Sequence, residues 1–177
     1  MASYYYLVAT LPMLHHDGTA PFGCDEFLEK CKGKVSDSDF VIISQALANA
    51  QSTYPFLKKW QAFTFMVKQE LTDQRSRKLS MASVKYQYEG SREPKISEAV
   101  RQALGNDNPL AAELDLILFS WKYLDDLAVL HTFDLEGLLA YAIKLQLLER
   151  KGLFTREDGN AEFKRLFSNL QSEIKNI

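Results

Sequence analysis

The sequence of 177 residues lacks any long apolar run. No stretch of about 18 consecutive apolar residues occurs, which excludes a transmembrane helix. The opening, MASYYYLVATLP, has no basic residue before its short apolar stretch, so it is a poor signal peptide and we expect a cytoplasmic protein. Neither sign of charge is in large excess, since 21 Lys and Arg face 23 Asp and Glu. The net charge of −2 argues against a protein that coats nucleic acid, and we expect no nucleic-acid partner.

Recognisable reactive motifs are also absent. The sequence contains no G-x-S-x-G nucleophile elbow, no H-E-x-x-H motif and no glycine-rich phosphate loop, and its eight glycines fall singly along the chain. We therefore expect a protein that is not an enzyme, with no catalytic residues and no cofactor. The pair Asp125-Asp126 is an acidic cluster worth inspecting, but consecutive helical residues diverge by about 100°, so the two carboxylates cannot face one site.

Cysteines are few, and the two that occur are not predicted to pair. Cys24 and Cys31 bound the segment CDEFLEKC, which is predicted as a short helix. Their separation along such a helix, roughly 10 Å, exceeds the Cα distance of about 7 Å that a disulfide tolerates. His15 and His16 could join them around a zinc ion, but this spacing matches no recurrent ligand pattern, and no metal site is predicted.

Helical periodicity dominates the chain from residue 24 onward. Capping residues, prolines and single glycines predict helices at about 24–31, 37–50, 55–78, 95–104, 109–131, 135–151 and 158–174. We therefore predict an all-α bundle of six or seven helices in one domain over 1–177. A division into two three-helix modules, 1–90 and 91–177, is the alternative, with its boundary in a polar loop near residue 90.

Two tyrosine-containing segments are ambiguous between helix and strand. Residues 4–9 have high β-propensity, and residues 84–88 alternate as a strand does. The two could pair, but a two-stranded ribbon is marginal unless helices cover it. Both are predicted as extended or irregular, and a helical first segment remains an open alternative.

Three of the predicted helices differ in their apolar faces. The helix at 55–78 carries a clean stripe that includes Trp60 and Phe63, for which core packing is favoured over a ligand-stacking site. The helix at 135–151 is apolar on most sides, so it is either central or buried by a partner. The last helix is amphipathic, with a stripe of Phe163, Leu166, Phe167, Leu170 and Ile174.

Charge is distributed unevenly along the chain. Between Lys58 and Arg101 there are ten basic residues against five acidic ones, whereas between Asp107 and Gly137 there are seven acidic residues and one basic. Opposite charges of this kind steer docking to charged partners. They are equally consistent with solvated faces that compensate each other within one molecule.

Three segments resemble known proteins. The opening Tyr4–Pro12 and the block Asn108–Asp126 resemble a small bacterial family encoded among the genes of V/A-type (vacuolar/archaeal-type) ATPases. The segment Phe133–Arg150 is distantly similar to the C-type stalk component of these ATPases, where a phenylalanine-led turn precedes a helix carrying a tyrosine, a glutamate and an arginine. The matching positions here are Phe133, Tyr141, Glu149 and Arg150.

The resemblance implies a non-catalytic helical stalk component that serves ion or proton transport. Its partners would be the central shaft and the proteolipid ring, and it would be peripheral to the membrane through those proteins only. Tyr141, Glu149 and Arg150 would then be docking residues, with Asp125 and Asp126 on the acidic face. Two other hypotheses stay open: a free-standing helical binding module or homodimer that buries residues 135–150 against its own copy, and an enzyme with a pocket not legible in the sequence.

Overall fold

The computed structural model describes residues 3–80 and 93–175, and these ranges contain helices and no strand. The prediction of an all-α bundle is confirmed. The helices are α1 (Tyr5–Thr10), α2 (Cys24–Cys31), α3 (Asp37–Leu47), α4 (Pro55–Lys78), α5 (Pro94–Leu104), α6 (Pro109–Leu127), α7 (Leu135–Gly152) and α8 (Arg156–Lys175).

The helix starts follow from local side chains, as the sequence predicts. The side chains of Ser36, Asn108 and Asp134 each accept a hydrogen bond from a backbone N–H in the first turn of α3, α6 and α7. Proline opens α4, α5 and α6, where its missing N–H leaves no intrahelical hydrogen bond unmade.

The first segment is helical rather than extended. Residues Tyr5–Thr10 form α1, which is too short to be stable by itself. It is held by long-range contacts: the backbone N–H of Tyr4 donates to the carbonyl of Phe133 at 2.6 Å, and Leu7 is buried. Tertiary packing thus outweighs the β-propensity of the tyrosines. The second ambiguous segment, 84–88, lies outside the described residues.

Helix α7 lies at the centre of the molecule. It packs against α2, α3 and α6, and these neighbours bury it within its own chain. Its buried residues lie on most of its circumference: Leu135, Leu138, Leu139, Ala140, Ala142, Ile143, Leu145 and Leu148. Of the two expectations for this helix, the central position is the one found.

Helices α4, α5 and α6 share an aromatic part of the core. The ring of Phe63 stacks on that of Tyr123 with centroids 3.9 Å apart, and on Trp60 at 5.6 Å. Both α4 rings are buried, so they serve core packing. Contacts of α4 with α5 and of α3 with α7 cross residue 90, and the two-module division stays a prediction. Within the described ranges, no helix combines the length and apolar character needed to cross a bilayer.

Candidate protein-binding site

Tyr141 lies half-buried on α7, against the N-terminal segment. Its hydroxyl donates to the carbonyl of Pro12 at 3.0 Å, and its ring stacks on Phe27 of α2 with centroids 5.4 Å apart. Burial raises the pKa of the Tyr141 hydroxyl to about 12. The side chain therefore holds the N-terminal segment and α2 against α7.

Glu149 caps a helix that is remote in sequence. Its Oε1 accepts a hydrogen bond from the backbone N–H of Cys24, the first residue of α2, at 2.9 Å. A negative charge at this end of a helix is favourable because the unsatisfied N–H groups are partly positive. Gly23 permits the approach, since a Cβ there would lie only 3.2 Å from Oε1. Burial, and then the hydrogen bond and charge of Glu149, raises the pKa of the Cys24 thiol to about 12.

Arg150 and Asp125 form ion pairs that join α6 to α7. The guanidinium of Arg150 pairs with Glu113. The carboxylate of Asp125 accepts from the ammonium of Lys144, which also lies 5.2 Å above the centre of the Trp121 ring. Each contact fixes one helix of the hairpin on the other.

Asp126 is exposed near the end of α6. Its neighbour Asp125 contacts α7 whereas Asp126 faces solvent, so the two carboxylates diverge as the helical geometry requires. The structure thus uses Tyr141, Glu149 and Arg150 for contacts inside the chain. A docking role for these residues stays a prediction.

The apolar face of α8 is the most exposed helical surface that the sequence stripe marks. Every described side chain of this helix, over residues 159–168, is exposed. Phe163, Leu166 and Phe167 are 67%, 50% and 51% exposed, and the two phenyl rings stack on each other at 6.1 Å. The periodicity shows this stripe but not that the described residues of the chain leave it uncovered.

A second apolar surface surrounds a groove, which we call the α6–α7 groove. It has a volume of about 820 Å³ and lies between residues 8–17, the end of α6 and the first half of α7. Met13 and Val129 line it and are 81% and 74% exposed, and the neighbouring Leu130 is 87% exposed. An exposed apolar patch of this kind marks an interaction surface.

One cluster in the described part of the chain has the composition of a metal site. The nitrogen of His131 and carboxylate oxygens of Asp134 and Glu136 lie within 4.8 Å of one another. Each is already bonded, since His131 Nδ1 is 2.6 Å from Asp134 and Glu136 accepts from the hydroxyl of Tyr54 at 2.6 Å. Asp134 also caps α7, whose positive end disfavours a cation. The cluster therefore fastens the start of α7.

The four residues considered for zinc do not come together. Cys31 is buried in the core, whereas His15 and His16 are exposed in a turn. Both cysteines are free, as predicted. Burial raises the pKa of the Cys31 thiol to about 11, although the charge of Lys34 acts in the opposite direction.

Residues 102–174 match a family model described as a protein of unknown function, DUF2764. No curated protein and no solved structure matches the chain. The matched span begins near the end of α5 and extends into the last turns of α8. The similarity therefore includes the helix with the uncovered apolar face together with the α6–α7 hairpin.

Proposed function

We propose that this protein is a non-catalytic structural component or assembly factor of a V/A-type ATPase, similar to the C-type component of the central stalk. It binds proteins of the central shaft and the proteolipid ring, and it is peripheral to the membrane through them. The resemblance of residues 4–12, 108–126 and 133–150 motivates the choice of complex. The observation that carries a protein-binding role is the uncovered apolar face of α8.

The α8 face has the arrangement of a docking helix. Phe163, Leu166 and Phe167 occupy positions i, i+3 and i+4, and the sequence places Leu170 at i+7. This is the spacing by which an amphipathic helix fills an apolar groove of a partner. Aromatic side chains supply much of the free energy of such contacts, because each buries a large apolar area.

The hairpin below α8 can transmit force without deforming. Pairs Arg150–Glu113 and Lys144–Asp125 join its two helices, and Glu149 joins α7 to α2. Buried side chains close-pack and resist compression. A partner held on α8 is therefore attached to a rigid support, which suits a component placed between a shaft and a membrane ring.

The test is co-purification of the full chain from its native cells while the ATPase genes are expressed. We expect the tagged protein to capture shaft or ring proteins, identified by mass spectrometry. The double substitution Phe163→Glu/Phe167→Glu should reduce this capture at least about tenfold, because it places charge on the apolar anchors. The control Ala161→Glu/Ser168→Glu places the same charges on the opposite, exposed side of the helix and should leave capture unchanged. Equal capture by both variants, or no ATPase protein at all, would contradict the proposal.

A free-standing helical binding module or homodimer is the second candidate function. The exposed apolar surfaces on α8 and around the α6–α7 groove favour it. Helix α7, the dimer interface that this hypothesis first suggests, is instead covered by its own chain. A dimer of the pure protein that resists high salt, with no ATPase protein co-purifying, would support this candidate.

A further inference from the structure

We propose that this protein self-associates head to tail, with the apolar face of α8 from one copy seated in the α6–α7 groove of the next. The inference is independent of the proposed ATPase role, because it concerns the purified chain alone. One molecule carries both halves of the contact, a convex apolar helix and a concave apolar groove. Both are exposed in the described structure.

Shape favours a helix in the groove over two α8 helices side by side. The groove, at about 820 Å³, is in the size range of clefts that enclose a ligand. A helix in a groove is covered on both flanks, whereas paired helices each cover a single stripe. The larger apolar area removed from water gives the more stable contact.

Charge complements shape. Asp17 and Asp125 both line the groove, and Lys144, which also lines it, is already paired with Asp125. The Asp17 side chain is 80% exposed, so its carboxylate remains available at the rim. On α8, Glu162 and Arg165 pair with each other, which leaves the ammonium of Lys164 beside the apolar stripe. An acidic rim thus meets a cationic helix flank.

The placement of the two surfaces makes the contact heterologous. Val129 and Leu130, at the rim of the groove, precede α7, whereas α8 follows it. Helix α7 has 18 residues and spans about 27 Å. A contact between different surfaces does not close at two copies unless the rotation permits a ring, so the average mass should rise with concentration.

The test is sedimentation velocity of the purified full chain up to about 100 µM, which detects micromolar association. We expect wild type to form dimers and larger species as concentration increases. Phe163→Glu/Phe167→Glu, with a damaged helix, and Val129→Lys/Leu130→Lys, with a damaged groove, should each be monomeric. The control Val41→Lys/Phe65→Lys alters two apolar residues exposed elsewhere, 53% and 60%, and should associate as wild type does.

Mixing the two damaged variants decides the geometry. The groove variant keeps an intact α8 and the α8 variant keeps an intact groove, so an equimolar mixture should form a dimer and stop there. A contact between two α8 helices would not be rescued in this way. A monomeric wild type at all concentrations, an α8 variant that still associates, or a mixture that stays monomeric would each overturn the proposal. Circular dichroism of each variant verifies that it is folded.

Discussion

The carboxylate of Glu149 and the backbone N–H of Cys24 lie 2.9 Å apart, although 125 positions separate the two residues in the chain. The contact joins the last turn of α7 to the first turn of α2. Because Gly23 leaves the space that the carboxylate occupies, sequence at both places is needed for it.

Removal of this cap should destabilise the protein. We expect Glu149→Ala to lower the free energy of unfolding by about 1 kcal/mol, the typical loss when a helix cap is removed. Glu149→Gln keeps an oxygen acceptor and should cost less. Urea unfolding followed by circular dichroism measures both, and equal losses would show that charge, rather than the hydrogen bond, is what matters.

The same residue should control the reactivity of Cys24. Burial and Glu149 both raise the pKa of this thiol, so little thiolate is present in the folded protein near pH 8. Glu149→Gln removes the negative charge and should accelerate the reaction of Cys24 with a disulfide reagent. The comparison is made in a Cys31→Ala background, and an unchanged rate would contradict the prediction.

Two glycines of α7 should respond to alanine with opposite sign. A Cβ at Gly137 would lie 3.0 Å from the backbone oxygens of His131 and Thr132, so Gly137→Ala should cost about 1–3 kcal/mol. At Gly152 a Cβ would meet nothing within 4 Å, and alanine should gain up to about 1 kcal/mol of helix propensity. Thermal unfolding compares the two, and a gain at both positions would contradict the contact at Gly137.

The cap of α7 should make stability depend on acid pH. Burial opposes ionisation of Asp134, but hydrogen bonds from His131 and the Gly137 N–H outweigh it, so the pKa of Asp134 is lowered. The stabilisation is therefore present above the usual aspartate pKa of about 3.9 and is lost as pH falls through the lower folded value. Asp134→Asn keeps a capping oxygen but does not titrate. Its deficit relative to wild type should shrink below about pH 4, and a constant deficit would contradict this account.

The central position of α7 predicts a large cost for a cavity there. Leu145 is fully buried, and Leu145→Ala should lower the free energy of unfolding by about 2–5 kcal/mol. Leu153, just beyond the helix, is 73% exposed and provides the matched control. Leu153→Ala should change stability by no more than about 0.5 kcal/mol. Similar losses at both positions would place Leu153 in an interface.

Features that depend on a few adjacent residues could be predicted from the sequence. Caps at Ser36, Asn108 and Asp134 act within three positions, so the helix starts were readable. Helix α1 was not, because its stability depends on a carbonyl at Phe133 and on burial of Leu7. Local propensity carries no information about such distant partners.

The candidate docking residues show the same limit. The resemblance singles out Tyr141, but its hydroxyl is bonded to Pro12, which is 129 positions away. For α8 the periodicity indicates the apolar stripe correctly. Periodicity measures which residues share a face, not whether another part of the chain covers that face, and so it could not distinguish α8 from a core helix.

The two carboxylates of α4 point inward, with consequences for how the protein behaves on a column. Glu70 and Asp73 are each 3% exposed, whereas Lys58, Lys59, Lys68 and Arg75 are exposed. Every exposed charge on this helix is therefore positive, although the chain as a whole is acidic with a pI near 5.9. At neutral pH and low ionic strength, a cation-exchange resin should retain the protein through this one side, and modest salt should elute it.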